Sequence, residues 1–126
     1  IFLVAPTTKP QRMQHIVKKS SGFVYYVSMK GVTGASHLDV DSVSVKVSEI
    51  KKNTSLPVGV GFGIKDAESA SAIADFADAV IVGSAIVKRV ADNLTNPALM
   101  NKAVADLIKE IRQSIDLQCE RTVNTK

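Results

Sequence analysis

The sequence has 126 residues, 45% of them hydrophobic and 22% charged, with a formal net charge of +4. Such a composition suits one globular domain, or part of one, and differs from that of disordered chains. Basic residues are interleaved with acidic ones and form no stripe with aromatic side chains, so the pattern argues against nucleic-acid binding. The longest nearly apolar run, Ala79 to Val87, is far shorter than the ~20 residues of a membrane-spanning helix.

The single cysteine, Cys119, permits neither an intrachain disulfide nor a cysteine-based metal site. It fits a reducing compartment, and we expect a cytoplasmic protein without a bound metal. The chain begins with Ile1, inside an apolar run, whereas natural domains rarely start in the middle of a strand. We therefore expect the sequence to be a piece of a longer chain.

At the start of the chain, "IFLVAP" (1–6) predicts a β-strand because nearly all of its positions are apolar. A helix is then predicted to begin at Pro10 and to end before Gly22. Its apolar stripe is formed by Met13, Ile16 and Val17. A second strand is predicted for "FVYYVSM" (23–29). Since neighbouring residues of a strand face opposite sides, Tyr25 and Tyr26 should point in opposite directions.

The stretch 40–53 is compatible with two structures. Its valines at 43, 45 and 47 alternate as in a strand, but apolar residues also recur at helical spacing, at Val40, Val43, Val47 and Ile50. We predict a helix, because parallel strands need a crossover that covers the sheet between them.

A third strand is predicted for "LPVGVGF" (56–62), and Asp66 is a candidate N-cap for the helix that follows. The stripe of this helix is Ala67, Ala70, Ile73, Ala74 and Ala77. The fourth strand is "AVIVGS" (79–84), and a short segment then leads to a long helix with Asn96 as cap and Pro97 at its first position. The stripe of the long helix is Met100, Ala103, Val104, Leu107, Ile108, Ile111 and Ile115.

This alternation of strands and helices predicts an α/β fold with right-handed crossovers. Four βα units suit half of an eight-stranded (β/α) barrel or a small doubly wound sheet. In either architecture, ligands bind at the carboxyl ends of the strands.

Three of the predicted strands carry glycine at their carboxyl ends: Gly31 and Gly34, then Gly59, Gly61 and Gly63, then Gly83. A glycine lets backbone amides approach an anion closely, and Ser84 stands where a short helix begins, whose N-terminus favours negative charge. These features predict that Gly34, Gly63, Gly83 and Ser84 converge on one phosphate group. Each glycine taken alone is equally compatible with simple turn geometry.

The other candidate residues give weaker signals. His15 and His37 have no partner at catalytic or metal-binding spacing, and we interpret both as surface residues. Phe62, between two glycines, is either a core residue or a wall for a flat substrate, and Thr33 would by default be solvated. No carboxylate follows a strand directly, and Glu49 lies on a predicted helix, so no acid–base pair is visible at the strand ends.

The segments "YYVSMKGVTGA", "GVGFGI" and "AVIVGSAIVKRV" resemble the tryptophan synthase alpha chain family in their order and spacing. The opening "IFLVAPTT" is similar to the fifth-strand segment of that family, and the resemblance extends to about Leu117. It implies a (β/α)8 TIM barrel, of which this chain covers about strands 5–8 with their helices, as a half barrel. We predict this unit at 1–117 and a polar C-terminal tail at 118–126.

The resemblance implies a carbon–carbon lyase of tryptophan biosynthesis, which cleaves indole-3-glycerol phosphate to indole and glyceraldehyde 3-phosphate. It implies a tryptophan synthase beta subunit as the partner, with pyridoxal phosphate bound in that subunit and no cofactor in this chain.

Position by position, the family's backbone phosphate cradle matches Gly34, Gly63, Gly83 and Ser84. Tyr25 matches a tyrosine at the mouth of the active site, and Phe62 and Ile81 match residues that line the substrate pocket. Thr33 matches the threonine of a mobile loop, which acts as a lid and orients a catalytic aspartate.

The family's acid–base glutamate and aspartate match no residue here, because both lie before the position of Ile1. The resemblance thus implies a chain that supplies the phosphate site and the lid, contains no catalytic residue and is inactive alone. The exposed edges of a half barrel predict that it needs the missing N-terminal half or a second copy of itself.

Two other interpretations stay open. A non-catalytic half-barrel module that binds phosphate or associates with itself would carry the same glycines. Another βα-barrel enzyme of sugar-phosphate metabolism would share the last glycine–serine element, but the "GVTG" segment argues against it.

Overall fold

A computed structural model describes residues 1–28, 39–61 and 63–124, with the backbone alone described for 121–124. The strands are β1 (Phe2–Val4), β2 (Val24–Val27), β3 (Val58–Gly61) and β4 (Ala79–Ile81). The helices are α1 (Pro10–Lys19), α2 (Val40–Lys51), α3 (Ala67–Ala74), α4 (Ser84–Ala91) and α5 (Pro97–Asn124). Every predicted strand and helix is confirmed, although each strand is shorter than the apolar run that predicted it.

The four strands form one parallel sheet in the order β1-β2-β3-β4. Tyr25 pairs with Leu3 on one side and with Gly59 on the other, and Gly61 pairs with Ile81. Since each strand lies next to the strand that follows it in the chain, successive crossovers advance in one direction along the sheet. This is the connectivity of part of a (β/α)8 barrel.

The ambiguous stretch after residue 39 is the helix α2, as predicted. Val43 and Val47 are buried, whereas Val45, which lies between them, is 71% exposed. In a strand these three side chains would share one face, but in a helix the middle one turns away from the other two. The need for a covering crossover therefore decides between the two patterns.

The starts of α3 and α5 are fixed by the side chains predicted as caps. The Asp66 carboxylate accepts a hydrogen bond from the Ser69 amide at 2.9 Å, and the Asp66 amide donates to the Ser69 hydroxyl at 3.3 Å. Hydrogen bonds from the hydroxyl and amide of Ser69 lower the pKa of Asp66. At α5, the Asn96 side-chain oxygen accepts from the Leu99 amide at 3.1 Å. Both caps satisfy amides that a helix cannot pair internally.

The core lies between the sheet and the helices and consists mainly of aliphatic side chains. Its fully buried members include Met13, Ile50, Ile64, Ile73 and Val60. The prediction for Ile108 is wrong, because this residue is 49% exposed although it belongs to the predicted stripe of α5. Leu107 and Ile111 face the core, whereas Ile108 lines an open groove between α3 and α5 and stays half exposed.

The two faces of the sheet differ in their side chains. The helices cover the face that carries Tyr26, Val24 and Val60, which are at most 2% exposed. The opposite face carries Tyr25 and the glycines of β3. The prediction that Tyr25 and Tyr26 point in opposite directions is confirmed.

Asp78 joins three elements at the amino end of the sheet. Its carboxylate accepts hydrogen bonds from the Val58 amide at 2.8 Å and from the Lys51 ammonium at 2.9 Å. Its own amide donates to the Val58 carbonyl at 3.0 Å. Burial raises the pKa of Asp78, but the hydrogen bonds from Val58 and Lys51 outweigh it, and the net pKa is lowered.

The outer strands β1 and β4 each pair with one neighbour among the described residues. Near β1, Ile1, Phe2 and Leu3 are 62%, 50% and 58% exposed. Beside β4, a groove of about 550 Å³ lies between α3 and α5, lined mainly by alanine, valine and isoleucine, with Arg112 and Cys119. None of the predicted site residues that the structure describes lines this groove.

The longest helix, α5, continues without interruption through residue 118, where we predict that a polar tail begins. Gln118 donates a hydrogen bond to the Asp75 carboxylate at 2.5 Å and so ties this part of α5 to the end of α3. A separate status for 118–126 stays a prediction. Neither α5 nor another helix in the described ranges is apolar over a length that would span a lipid bilayer.

Candidate functional site

A cavity of about 130 Å³ lies at the carboxyl ends of β2, β3 and β4. It is lined by Tyr25, Gly63, Ile64, Ile81, Gly83 and Ser84. A water molecule takes up about 30 Å³ in the liquid, so the cavity has room for a small polyatomic group. Its position at this end of a parallel sheet is where α/β barrels bind their ligands.

The structure brings together those predicted site residues that it describes. Tyr25, Gly63, Ile81, Gly83 and Ser84 all line the cavity. The others, Thr33, Gly34 and Phe62, lie outside the described residues, as does His37. The binding roles assigned to all of them stay predictions, but parallel strands in sequential order explain why residues so distant in sequence meet here.

The two glycines of the cavity are glycines for different reasons. Gly63 has a φ angle of 79°, in the left-handed region that costs other residues about 1–2 kcal/mol. Gly83 has a φ angle of −119°, outside the left-handed region, and among the described residues no heavy atom lies within 4 Å of the position that a Cβ would take. Neither a positive φ nor a described neighbour therefore requires glycine at 83, and the position faces open space.

The helix α4 begins at Ser84, directly on the cavity, and no side chain caps it. In the described part of the chain, the amides of Gly63, Gly83 and Ser84 make none of the backbone hydrogen bonds that lie outside helices and strands. The first amides of a helix have no partner within the helix, and its dipole favours negative charge at this end. An anion in the cavity would accept hydrogen bonds from these donors.

Tyr25 forms the wall of the cavity on the β2 side, and its position depends on Gly61. A Cβ at Gly61 would overlap the Tyr25 hydroxyl and would lie 2.6 Å from the ring carbon Cζ, so the ring rests directly on the glycine. In the same way, Ile81 leans over Gly59, where a Cβ would lie 3.0 Å from its Cδ1 atom. Side chains of β2 and β4 thus occupy the space that β3 leaves.

Sequence patterns do not reveal two residues of this region. Ile64 lines the cavity and is 2% exposed, but an apolar residue after a glycine has no distinctive signal. Ser28 donates hydrogen bonds to the Gly61 carbonyl, from its hydroxyl at 2.8 Å and from its amide at 3.0 Å. The sequence offers one signal for Ser28, its place at the end of a predicted strand. A serine hydroxyl there readily forms a hydrogen bond to nearby backbone.

Among the described residues, no carboxylate, histidine, lysine or arginine lines the cavity. Glu49 lies on α2 and pairs with Lys46 at 2.8 Å, and His15 is exposed on α1, as predicted. Across the described ranges, no three His, Cys, Asp or Glu side chains gather closely enough to hold a metal ion. The cavity therefore offers backbone donors and a helix N-terminus, which suit anion binding rather than proton transfer.

Comparison with known sequences leads to one family. The sequence pattern described as "Tryptophan synthase alpha chain" matches residues 1–116. A tryptophan synthase alpha chain of Nitrosococcus oceani is 53% identical over 116 residues, which are 92% of this chain and 43% of that relative. The chain thus spans less than half the length of this relative.

Solved structures give the same result. The tryptophan synthase alpha chain of Legionella pneumophila superposes with a TM-score of 0.75 at 34% identity, over 92% of this chain and 42% of the other. In the tryptophan synthase a2b2 complex of the hyperthermophile Pyrococcus furiosus, a chain superposes with a TM-score of 0.72 at 30% identity, over 89% of this chain and 44% of the other.

Proposed function

Because this chain belongs to the tryptophan synthase alpha chain family and forms a four-stranded part of its (β/α)8 barrel, we propose that it is the C-terminal half of an alpha subunit. The subunit is a lyase that cleaves indole-3-glycerol phosphate to indole and glyceraldehyde 3-phosphate, and this half supplies the phosphate site. A single observation carries the proposal: Gly63, Gly83 and the uncapped Ser84 line one cavity at the strand ends.

The proposed site holds phosphate through backbone amides rather than through a cationic side chain. A phosphate monoester carries nearly two negative charges at neutral pH, and hydrogen bonds to a charged acceptor are stronger than those between neutral groups. Gly63, Gly83 and Ser84 supply amides from two neighbouring strand ends, and Gly34 adds a third strand end in the proposal. The open space at Gly83 gives the phosphate oxygens room to reach them.

The remaining site residues are proposed to hold the rest of the substrate. Tyr25 and Ile81 form walls beside the glycines, and Phe62 is assigned to the same substrate pocket by its match to the family. Thr33 belongs to the proposed lid, where its hydroxyl orients a catalytic aspartate of the barrel's N-terminal half. Thr33→Val should therefore lower kcat with little change in KM, because only that polar contact is lost.

The proton transfers are assigned to the half of the barrel that precedes Ile1. Retro-aldol cleavage needs a proton delivered to the indole ring and another removed from the glycerol hydroxyl. No carboxylate lines the cavity, and the family's acid–base glutamate and aspartate correspond to positions before this sequence. We therefore expect residues 1–126 alone to release no indole.

The proposed partner is a tryptophan synthase beta subunit, and the proposed compartment is the cytoplasm. The Pyrococcus furiosus relative is part of an a2b2 complex, which supports an alpha–beta assembly for this chain. Pyridoxal phosphate in the beta subunit would join the released indole to serine, so this chain needs no cofactor of its own.

The open edges of the sheet favour a second candidate, a non-catalytic half barrel that binds phosphate or associates with itself. Within the described residues, β1 and β4 each have one unpaired edge, and Ile1 to Leu3 are largely exposed. Unpaired strand edges and exposed apolar side chains promote association. Sedimentation of the 126-residue chain measures this association directly. A chain that sediments as a monomer would argue against self-association.

The proposed function is tested with a hybrid chain, in which residues 1–116 replace the matching segment of the Nitrosococcus oceani relative. We expect the hybrid to release indole from indole-3-glycerol phosphate and the 126-residue chain alone to release none. A hybrid that unfolds cooperatively but releases no indole, beside an active parent relative, would refute the proposed function. Indole release by the 126-residue chain would instead refute the assignment of proton transfer to the preceding half.

A further inference from the structure

Two hydrogen bonds to one oxygen join the carboxyl ends of β2 and β3. The Gly61 carbonyl accepts from the Ser28 amide at 3.0 Å and from the Ser28 hydroxyl at 2.8 Å. A carbonyl oxygen has two lone pairs and accommodates both donors. The amide bond extends the parallel ladder by one residue beyond Val27, and any residue except proline would make it. The hydroxyl bond depends on the side chain of Ser28.

A small displacement of Gly61 would affect the cavity through two of its lining residues. The Tyr25 ring rests on it, and Gly63, which follows two residues later, lines the same cavity. Glycine has the greatest backbone freedom of all residues, so the orientation of its carbonyl depends on the hydrogen bonds that the carbonyl accepts. Gly61 is already paired with Val27 of β2 and Ile81 of β4, and the second donor on its carbonyl oxygen restricts this last residue of β3 further.

Ser28 is not among the described residues that line the cavity, so the proposed route from Ser28 to a bound group runs through Gly61 and its neighbours. We infer that Ser28 is a positioning residue of the phosphate site: its hydroxyl, through the Gly61 carbonyl, holds Tyr25 and Gly63 at the spacing that the phosphate requires. The identity of the phosphate ester rests on the proposed function. Binding of phosphate itself is measurable without the reaction. Preorganisation of this kind raises affinity, because the site loses less conformational freedom on binding.

Ser20 provides a matched control for Ser28. Its hydroxyl donates to the Ile16 carbonyl at 2.9 Å at the end of α1, and like Ser28 it is partly buried. Both serines thus donate a short hydroxyl-to-carbonyl bond, but the hydroxyl and amide bonds of Ser20 go to α1, outside the strands that form the cavity wall. Ser28→Thr provides the complementary control, because threonine keeps the hydroxyl.

The experiment compares Ser28→Ala, Ser28→Thr and Ser20→Ala in the hybrid chain. Isothermal titration gives the Kd of inorganic phosphate, steady-state kinetics give kcat and KM for indole-3-glycerol phosphate, and thermal melts give Tm. One hydrogen bond of ordinary strength corresponds to roughly a threefold to tenfold change in an equilibrium constant. We expect Ser28→Ala to raise the Kd of phosphate and the KM of the substrate by that factor, with a smaller change in kcat. In Ser28→Thr, Kd and KM should stay near the parent values. Ser20→Ala should lower Tm about as much as Ser28→Ala and leave Kd unchanged.

Several outcomes would overturn the inference. Unchanged phosphate binding in Ser28→Ala would remove the positioning role, and so would an equal loss of binding in Ser20→Ala, which would indicate a general effect of stability. A hybrid that binds no phosphate would refute the inference together with the proposed site. If the hybrid releases no indole while Ser28→Ala still weakens phosphate binding, the positioning role is supported and the proposed reaction alone is wrong.

Discussion

The ends of β3 and β4 lie side by side at the cavity and both carry glycine, but the protein uses these glycines differently. At β3, the space where Gly61 lacks a side chain is occupied by the Tyr25 ring, and Gly63 has a backbone conformation that favours glycine. At β4, Gly83 has a negative φ angle, and no described atom lies within 4 Å of where its Cβ would be.

This difference separates glycines that the fold requires from a glycine that, in the proposed site, makes room for phosphate. Filling the space at Gly61 should disturb the protein itself, whereas filling the space at Gly83 should disturb only what binds there. The two kinds of position are therefore distinguishable by measuring stability and binding in the same variants.

The largest effect is expected from Gly61→Ala in the hybrid chain. The added methyl group overlaps the end of the Tyr25 ring, and such overpacking typically costs about 1–3 kcal/mol. We expect a lower free energy of unfolding, measured in urea, and a strong loss of indole release, since the displaced ring also forms the cavity wall. Tyr25→Leu should recover part of the lost stability in the double variant, and purely additive losses would contradict the contact.

Gly63→Ala should cost somewhat less, about 1–2 kcal/mol, because alanine is strained in the left-handed region. Gly22, with a φ angle of 77°, offers a control that lines no part of the cavity. Urea unfolding should show similar losses for Gly22→Ala and Gly63→Ala, whereas phosphate titration should show weaker binding for Gly63→Ala alone. Equal phosphate affinity in the two variants would separate Gly63 from the site.

Gly83→Val should have the opposite signature. Its side chain enters the open space, so KM for indole-3-glycerol phosphate and Kd for phosphate should rise about tenfold or more, which corresponds to about 1.4 kcal/mol. The free energy of unfolding should fall by no more than about 1 kcal/mol, the cost of valine at a helix N-cap, since a Cβ at 83 has no described heavy atom within 4 Å. A stability loss as large as that of Gly61→Ala would contradict the distinction between the two strand ends.

The smallest effect is expected at the opposite end of the sheet, from Asp78→Asn. The variant loses the charge that pairs with Lys51 but keeps an acceptor for the Val58 amide, so about 0.5–1 kcal/mol of stability should be lost at neutral pH. Phosphate affinity should not change.

The effect of Asp78→Asn should also depend on pH. The folded state lowers the pKa of Asp78, so its stabilisation is complete above the ordinary value of 3.8 and is lost as the pH falls through the lower folded value. The stability difference between parent and variant should therefore shrink below about pH 4. A difference that stays constant from pH 7 to pH 3 would show that the Asp78 charge does not contribute.

The fold was predictable because its signals are local or depend on simple rules of connection. Pro10, Asp66 and Asn96 mark helix starts that the structure confirms, and the rule that parallel strands need a covering crossover resolved α2. Ile108 shows the limit of such patterns. Its spacing is compatible with the stripe of α5, but burial depends on what packs against each side of a helix, and the sequence of the helix does not contain that information.

The location of the site was predictable, but the packing of side chains around it was not. Glycines at strand ends indicated where Gly63 and Gly83 would meet. Gly61 contacts the Tyr25 ring, whereas Gly83 faces open space. This difference depends on side-chain directions and on the register between strands. The role of Ser28 could not be predicted for the same reason. Its hydrogen-bond partner, Gly61, is defined only by the register between β2 and β3.

Asp78 has a consequence for the way in which this protein opens. One carboxylate connects the last residue of α2 with the first residue of β3, and Asp78 itself directly precedes β4. Opening of any one of these elements breaks at least one of these bonds, so we expect the slowest amide hydrogens of all three to exchange with solvent at similar rates, as one cooperative unit. The βα units of this barrel segment would then behave as one folding unit rather than as repeated modules that open independently.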